Sequence, residues 1–352
     1  MPIIILQLLF FSVFCAFTSF AQQAISSLHV SESLLKQHVF VLASDSLQGR
    51  QTGTAGQLKA AKYCAQQLKE NHLQPFFPID STQSSFWQRY YFINERFMPV
   101  LPNNATLIGT SQRMRLVPPP SANDSLRRYV AHNIGGLLIG TTRPQEVVVV
   151  SAHFDHLGQA NQQIFHGADD NASGTAAVLA MAATFDSLAQ AGIRPQRSIL
   201  FVLFSGEEGG LIGSTYFIQN APAGLDKFVA NLNIDMIGRT DKWHRRKPNY
   251  CYLITGGKKN PLREVVMSAN AASVGLEIKT VFDTQDDVKQ YFYRSDHYNF
   301  AKNNIPIAFF FDGEHPDYHQ PSDTAEKIDY ALLQKRATLI FQVAWQVANP
   351  SR

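Results

Sequence analysis

Val147-Val148-Val149-Val150 is a run of four consecutive β-branched residues leading into Ser151-Ala152. Such a run disfavours a helix, and a strand built from it has no polar face, so both of its sides must be covered. Strands and helices then alternate. Strands are expected at Ser198–Phe204, Phe228–Ile234, Tyr252–Thr255 and through the apolar run Ile305–Phe311. Between them, helical spacing places Val178, Met181, Phe185 and Leu188 on one face, and shorter helices are expected at Leu211–Gln219 and Leu262–Val274. A closing helix turns Ile328, Leu332, Leu339, Val343 and Val347 inward. The pattern predicts an α/β fold with an open, mostly parallel mixed sheet covered by helices on both faces.

The segment before this alternation reads differently. Val30–Leu73 is helical with a break at Gly49-Arg50-Gln51-Thr52-Gly53-Thr54, and the second helix stacks Ala60, Cys64 and Leu68. Residues 75–130 are rich in Pro, Asn and Ser, so short strands and long loops are expected there. Arg50 is either a turn residue or one that approaches the cleft.

Residues 1–21 carry no charged side chain, and Ser19-Phe20-Ala21 before Gln22 places small residues where a signal peptidase cuts. The run is short for a membrane span and has no basic stop-transfer cluster, and Ser12-Val13-Phe14 before Cys15 is a poor lipobox. The expected product is exported, secreted or periplasmic, with no stable membrane insertion after cleavage. Residues 22–352 are then expected to form a single domain, in which 94–133 is a loop-rich insertion. The net charge is only +3, and the basic run Lys242, His244, Arg245, Arg246, Lys247 reads as a solvated loop, so no nucleic-acid partner is expected. Cys64 and Cys251 lie far from any metal-ligand spacing, which excludes thiolate zinc chemistry. Whether they pair is open at this level, as is the oligomeric state.

The chemistry sits at strand ends. His153 and Asp155 follow the Val147 run, Glu207 and Glu208 follow the next strand, and Asp235 ends a third. Asp170 lies in Gly167-Ala168-Asp169-Asp170-Asn171-Ala172-Ser173-Gly174, and Asp317-Tyr318-His319 lies beyond the Ile305 run. Open parallel sheets bind ligands outside the carboxyl ends of their strands. Two zinc ions carry four positive charges, which a hydroxide and three carboxylates (Asp170, Glu208 and Asp235) would neutralise. His153 and His319 would add one imidazole per metal, and Asp155 could accept the other ring proton of His153. Glu207, beside a ligand but free of the metal, could move a proton as base and then acid.

These segments together resemble the co-catalytic dizinc aminopeptidases of the bacterial leucyl aminopeptidase, aminopeptidase S and aminopeptidase Y type. The resemblance runs from Gly49-Arg50 to His319-Gln320-Pro321-Ser322-Asp323-Thr324. It implies a zinc-exopeptidase fold and two zinc ions per chain, with His153 and Asp235 on one and Glu208 and His319 on the other. It further implies Asp170 as the bridge, Glu207 as the proton shuttle for a metal-bridged water, and Tyr318 polarising the scissile carbonyl. The implied substrates are peptides with a free N-terminus. Larger members insert a protease-associated domain, for which 94–133 is too short. Asp169 competes with Asp170 as bridge and otherwise bonds loop backbone; Asn171 and Ser173 are expected to cap the following helix. His156, His166, His244, His297 and His315 read as structural or surface residues. A glutaminyl cyclase with one zinc and a non-catalytic receptor-like ectodomain of the same fold are the alternatives.

Overall fold

The computed structural model describes residues 25, 27–96, 112–121, 125–222 and 224–350. The expected signal segment, 1–21, lies outside them, as do residues 97–111 of the expected insertion. Nine main strands are used below: β1 (Trp87–Arg96), β2 (Gln112–Val117), β3 (Tyr129–Leu138), β4 (Arg143–His153), β5 (Arg197–Phe204), β6 (Phe228–Ile234), β7 (Tyr250–Ile254), β8 (Glu277–Lys279) and β9 (Ile307–Phe311). They lie in one sheet in the order β8-β7-β9-β6-β4-β5-β3-β1-β2. The central neighbours β9, β6, β4 and β5 run parallel. β7 joins β9 antiparallel, and β3, β1 and β2 extend the other side antiparallel. The mixed sheet is thus parallel where the acidic and histidine motifs sit.

Residue parity sorts the strands onto two cores. Val148, Val150 and Ala152 of β4 join Phe201 and Leu203 of β5 on one face. That face is covered by α1 (Glu32–Leu42), α2 (Ala55–Glu70), α3 (Gly174–Gln190), α5 (Leu262–Ala272) and α7 (Tyr330–Ala348). Val147, Val149, Leu200, Val202 and Phe204 point the other way, against Phe217 of α4 (Ile212–Gln219) and Phe300 of α6 (His297–Ala301). Each such side chain taken fully from water contributes about 1.5–3 kcal/mol, which is why a run without a polar face is stable only in the middle of this sandwich. Side-chain caps start the helices. Ser31 accepts the Leu34 amide, Thr54 the Gln57 amide and Asp329 the Leu332 amide.

One departure from the sequence expectation has a plain cause, and one open question closes. Within 75–130, β1 is ten residues long, because Tyr90 and Phe92 bury in a small separate core with Met114, Ala131 and Ile212. Cys64 and Cys251 are both buried and unpaired, and burial pushes their thiols up to about 12 and about 11. They remain protonated packing residues.

Candidate metal centre

Parallel pairing brings the motifs to one edge. His153 is the last residue of β4 and pairs with Phe204 at the end of β5, three residues before Glu207. Ser151 pairs with Asn233 of β6, and Ile234, next to Asp235, pairs with Phe310 of β9. Asp170 arrives from the turn ahead of α3. Asn171 fixes that turn, accepting the amides of Gly174 (2.9 Å) and Met236 (3.2 Å) and donating to the Ile234 carbonyl (2.9 Å). Only glycine fits at 174, where a Cβ would lie 2.6 Å from the Ile234 oxygen. Asn171 is therefore a cap, as expected, and also a tie between the Asp170 turn and the Asp235 strand end. Ser173 donates to the Asp169 carbonyl at 2.7 Å and accepts the Ile237 amide at 3.1 Å.

The structure brings all five expected ligand side chains together. His153 Nε2 lies 3.2 Å from Asp235 Oδ1 and 3.4 Å from Asp170 Oδ1. His319 Nε2 lies 3.0 Å from Asp170 Oδ2 and 3.4 Å from Glu208 Oε2. Asp170 thus offers one oxygen to each side. Asp169 turns away: it accepts the Gly238 amide at 2.7 Å and sits 3.1 Å from His315 Nε2. His319 takes a left-handed φ of 57°, a conformation that costs a non-glycine residue energy and is common where function fixes the backbone.

Asp155 lies on the expected side of the His153 ring. The nearest acceptor to Nδ1 is its main-chain carbonyl at 3.3 Å, and its carboxylate is 3.7 Å away. That carboxylate accepts the Thr52 hydroxyl (2.8 Å) and the Glu207 amide (3.3 Å), so it holds the Glu207 backbone beside the cluster. Tyr318 stacks on His319 with ring centroids 3.9 Å apart, and its hydroxyl lies 3.3 Å from Arg294. Burial, then the Asp170 and Glu208 carboxylates, raise the Tyr318 phenol well above its ordinary value, so it is a proton donor in hydrogen bonds. Ser295 accepts from the Asn233 side-chain amide at 2.9 Å and hydrogen-bonds the Asp235 carboxylate, so it supports that side chain.

His156, read from the sequence as structural or surface, is drawn into the cluster. It is buried, with Nδ1 2.8 Å from Glu208 Oε1 and 3.7 Å from Asp170 Oδ2. Two donor groups share Asp170: His153, Asp170 and Asp235, and His156, Asp170 and Glu208, each with its ligand atoms within 4.8 Å of one another. Arg50 was also undetermined in the sequence. Its guanidinium is buried and donates to the carbonyls of Phe154 (2.8 Å), His166 (2.7 Å), Gly167 (2.9 Å) and Leu42. It clamps the loop after β4 to the loop before Asp170 and does not face the cleft. Asp323 performs a similar task from the other side, accepting the amides of Asp169 and Asp170 at 3.0 and 3.2 Å.

The charge balance suits dications. Among the described residues no Lys or Arg forms an ion pair with Asp170, Glu207, Glu208 or Asp235; their ionic partners are imidazoles. Burial pushes the Glu207 carboxyl well above the usual range, with His153 opposing and the neighbouring carboxylates adding to the rise. Burial also disfavours the His319 cation, but the Glu208 and Asp170 carboxylates outweigh it and lift the imidazole to about 11. Burial works against ionised Glu208 too, yet the imidazoles of His319 and His156 hold it well below its ordinary value. A cluster of oxygen and imidazole donors that binds protons this tightly between its members is short of positive charge. Zinc-type ions would supply that charge, and the donor set fits them.

Residues 133–344, well over half of the chain, match a family model described as Peptidase family M28. A probable leucine aminopeptidase of Arthroderma otae is 29% identical over 217 residues, covering 58% of this chain and 55% of that protein. Leupeptin-inactivating enzyme 1 of Streptomyces exfoliatus is 32% identical over 185 residues, covering 52% of this chain and 36% of that protein. The chain therefore spans about half or less of the length of these curated relatives. The solved structure of BSAP, a zinc aminopeptidase from Bacillus subtilis, has the same fold, with a TM-score of 0.65 at 18% identity over 92% of this chain and 96% of that one.

Proposed function

Because the chain belongs to peptidase family M28, we propose that it is an exported aminopeptidase with two zinc ions per chain, acting on peptides with a free N-terminus. The observation that carries this reading is Asp170 facing two donor groups, one with each carboxylate oxygen, at the edge where four parallel strands end. Two groups sharing one carboxylate favour a pair of ions over the single zinc of a glutaminyl cyclase. His153 and Asp235 would hold one ion and Glu208 and His319 the other, with Asp170 common to both.

Bound zinc would activate a water molecule and polarise the scissile carbonyl. The chain's own residues do the rest. Glu207, partly buried with its proton affinity raised, takes the proton of the attacking water and returns it to the leaving amine. Tyr318 supplies a hydroxyl donor for the carbonyl oxygen as negative charge develops there.

The direction of attack follows from the charges lining the cavity beside the donor groups. Asp170, Glu207, Asp235 and Glu314 line it, and the one arginine among its lining residues, Arg294, is paired to Glu314 at 2.7 Å. Arg239, the other arginine near the motifs in sequence, pairs with Asp317 at 2.8 Å. A terminal carboxylate would meet acids without a free cation, whereas a terminal ammonium meets compensating charge. Unblocked peptides should be cleaved from the N-terminus and N-acetylated ones should not, as read by mass spectrometry of the products over time. Equal rates on both, or release of the C-terminal residue first, defeats the aminopeptidase reading and leaves a dimetal hydrolase.

The export reading rests on the apolar, uncharged residues 1–21 and the small residues before Gln22. Edman sequencing of the exported chain should begin at or near Gln22; intact Met1 on membrane-bound protein would refute it.

A further inference from the structure

We propose that His156 is itself a metal ligand, its Nδ1 joining Asp170, Glu208 and His319, so that one of the two metal positions is enclosed by four protein donors. This rests on the dimetal reading above and adds to it a ligand that the family resemblance does not supply.

Four observations on this chain carry it. The His156 side chain is 0% exposed, whereas that of His319 is 32% exposed, so His156 is the more completely sequestered imidazole of the pair beside Glu208. Its ring lies on Gly167, at φ 56°, where a Cβ would come within 2.5 Å of the ring carbons Cγ and Cδ2. A glycine in that conformation, beneath that ring, sets the imidazole plane before any ion binds. The outer nitrogen, Nε2, is buried and has no hydrogen-bond partner, so no tether on the far side of the ring accounts for its orientation. The inner nitrogen is the one aimed at the carboxylates, 2.8 Å from Glu208 Oε1 and 3.7 Å from Asp170 Oδ2.

His156 shares a donor group with Asp170 and Glu208, and His319 approaches the same two carboxylates. The rings of His156 and His319 meet edge to face at 66° with centroids 5.8 Å apart, and each has a nitrogen within 3.4 Å of a different Glu208 oxygen. Asp170, Glu208, His156 and His319 would offer four protein donors to one ion. Asp170, Asp235 and His153 supply three donors and leave a place open, as catalytic sites do. The two positions would therefore differ in their number of protein donors.

The test loads the full chain, with ¹⁵N-labelled histidine, with ¹¹³Cd. Two cadmium resonances are expected, one coupled to a single imidazole nitrogen and the other to two. His156→Gln, which can still hydrogen-bond Glu208, should remove one of the paired couplings. It should also weaken cadmium and zinc at that position by about 100-fold or more, since loss of even an outer-shell partner can cost up to that much. The other position should be unchanged. Two cadmium ions each coupled to one imidazole, or a His156→Gln chain that binds both ions like the parent, would overturn the proposal and reduce His156 to positioning Glu208. A parent chain that takes up fewer than two cadmium ions defeats the dimetal reading, and the proposal with it, before any variant is made.

Discussion

Glu207→Gln should leave the metal content and the fold of the parent chain while lowering kcat by about 100- to 10,000-fold, the range lost with a general acid–base group. Glutamine has the same shape, and the backbone at 207 is held by Asp155, not by the side chain being changed. None of the donor groups contains Glu207, so uptake of zinc should be indistinguishable from the parent in a titration. What disappears is the carrier. Burial raises the proton affinity of the Glu207 carboxyl, and an amide has no proton to exchange at that position. KM should change little, because the group acts on the water and the leaving amine, not on the peptide's resting contacts. Steady-state kinetics beside metal analysis decide it. A variant with most of its kcat intact removes Glu207 from the mechanism, and one that loses zinc makes it a ligand.

The sheet and the candidate donor residues were legible in the sequence for different reasons. Val147–Val150, Ser198–Phe204 and Phe228–Ile234 declare themselves because burial on both faces leaves them mostly apolar, with Ser198, Asn231 and Asn233 the exceptions, and their ends then fix where a site can lie. His153 and Asp235 sit at those ends, so local pattern and chemistry point the same way. His156 gives no such signal. It stands three residues past His153, after the chain has left the sheet, and its approach to Glu208 depends on how two loops pack over Gly167. Arg50 is hidden for a related reason: a glycine-rich break reads as an exposed turn, and nothing local shows that the guanidinium is needed by four carbonyls from three separate segments. The closest signal is Arg50 itself, a fixed fork of donors beside residues that allow tight turns. The length of the strand Trp87–Arg96 escaped because its polar residues cluster at Gln88-Arg89 and Asn94-Glu95-Arg96 without alternation, and Tyr90 and Phe92 reach a small core of their own.

Asp170→Asn should have the opposite signature, with loss of metal preceding any question of catalysis. Asp170 is the one side chain common to both donor groups, with Oδ1 3.4 Å from His153 and Oδ2 3.0 Å from His319. An amide can offer one oxygen, carries no charge and turns an NH2 toward one of the two positions. Both ions should therefore bind more weakly, by about 100-fold or more, beyond what loss of an outer-shell partner costs. The metal-free chain should change less. Asp170, Glu207, Glu208 and Asp235 crowd one edge without a Lys or Arg partner among the described residues, so removing one charge relieves repulsion even as it takes a partner from the imidazoles. Thermal melts separate the two effects. The parent's Tm should climb with added zinc, as binding to the native state alone requires, and the variant's should stay flat over the same range. A variant whose Tm rises with zinc like the parent's, with two ions bound per chain, would show that the ions do not share Asp170.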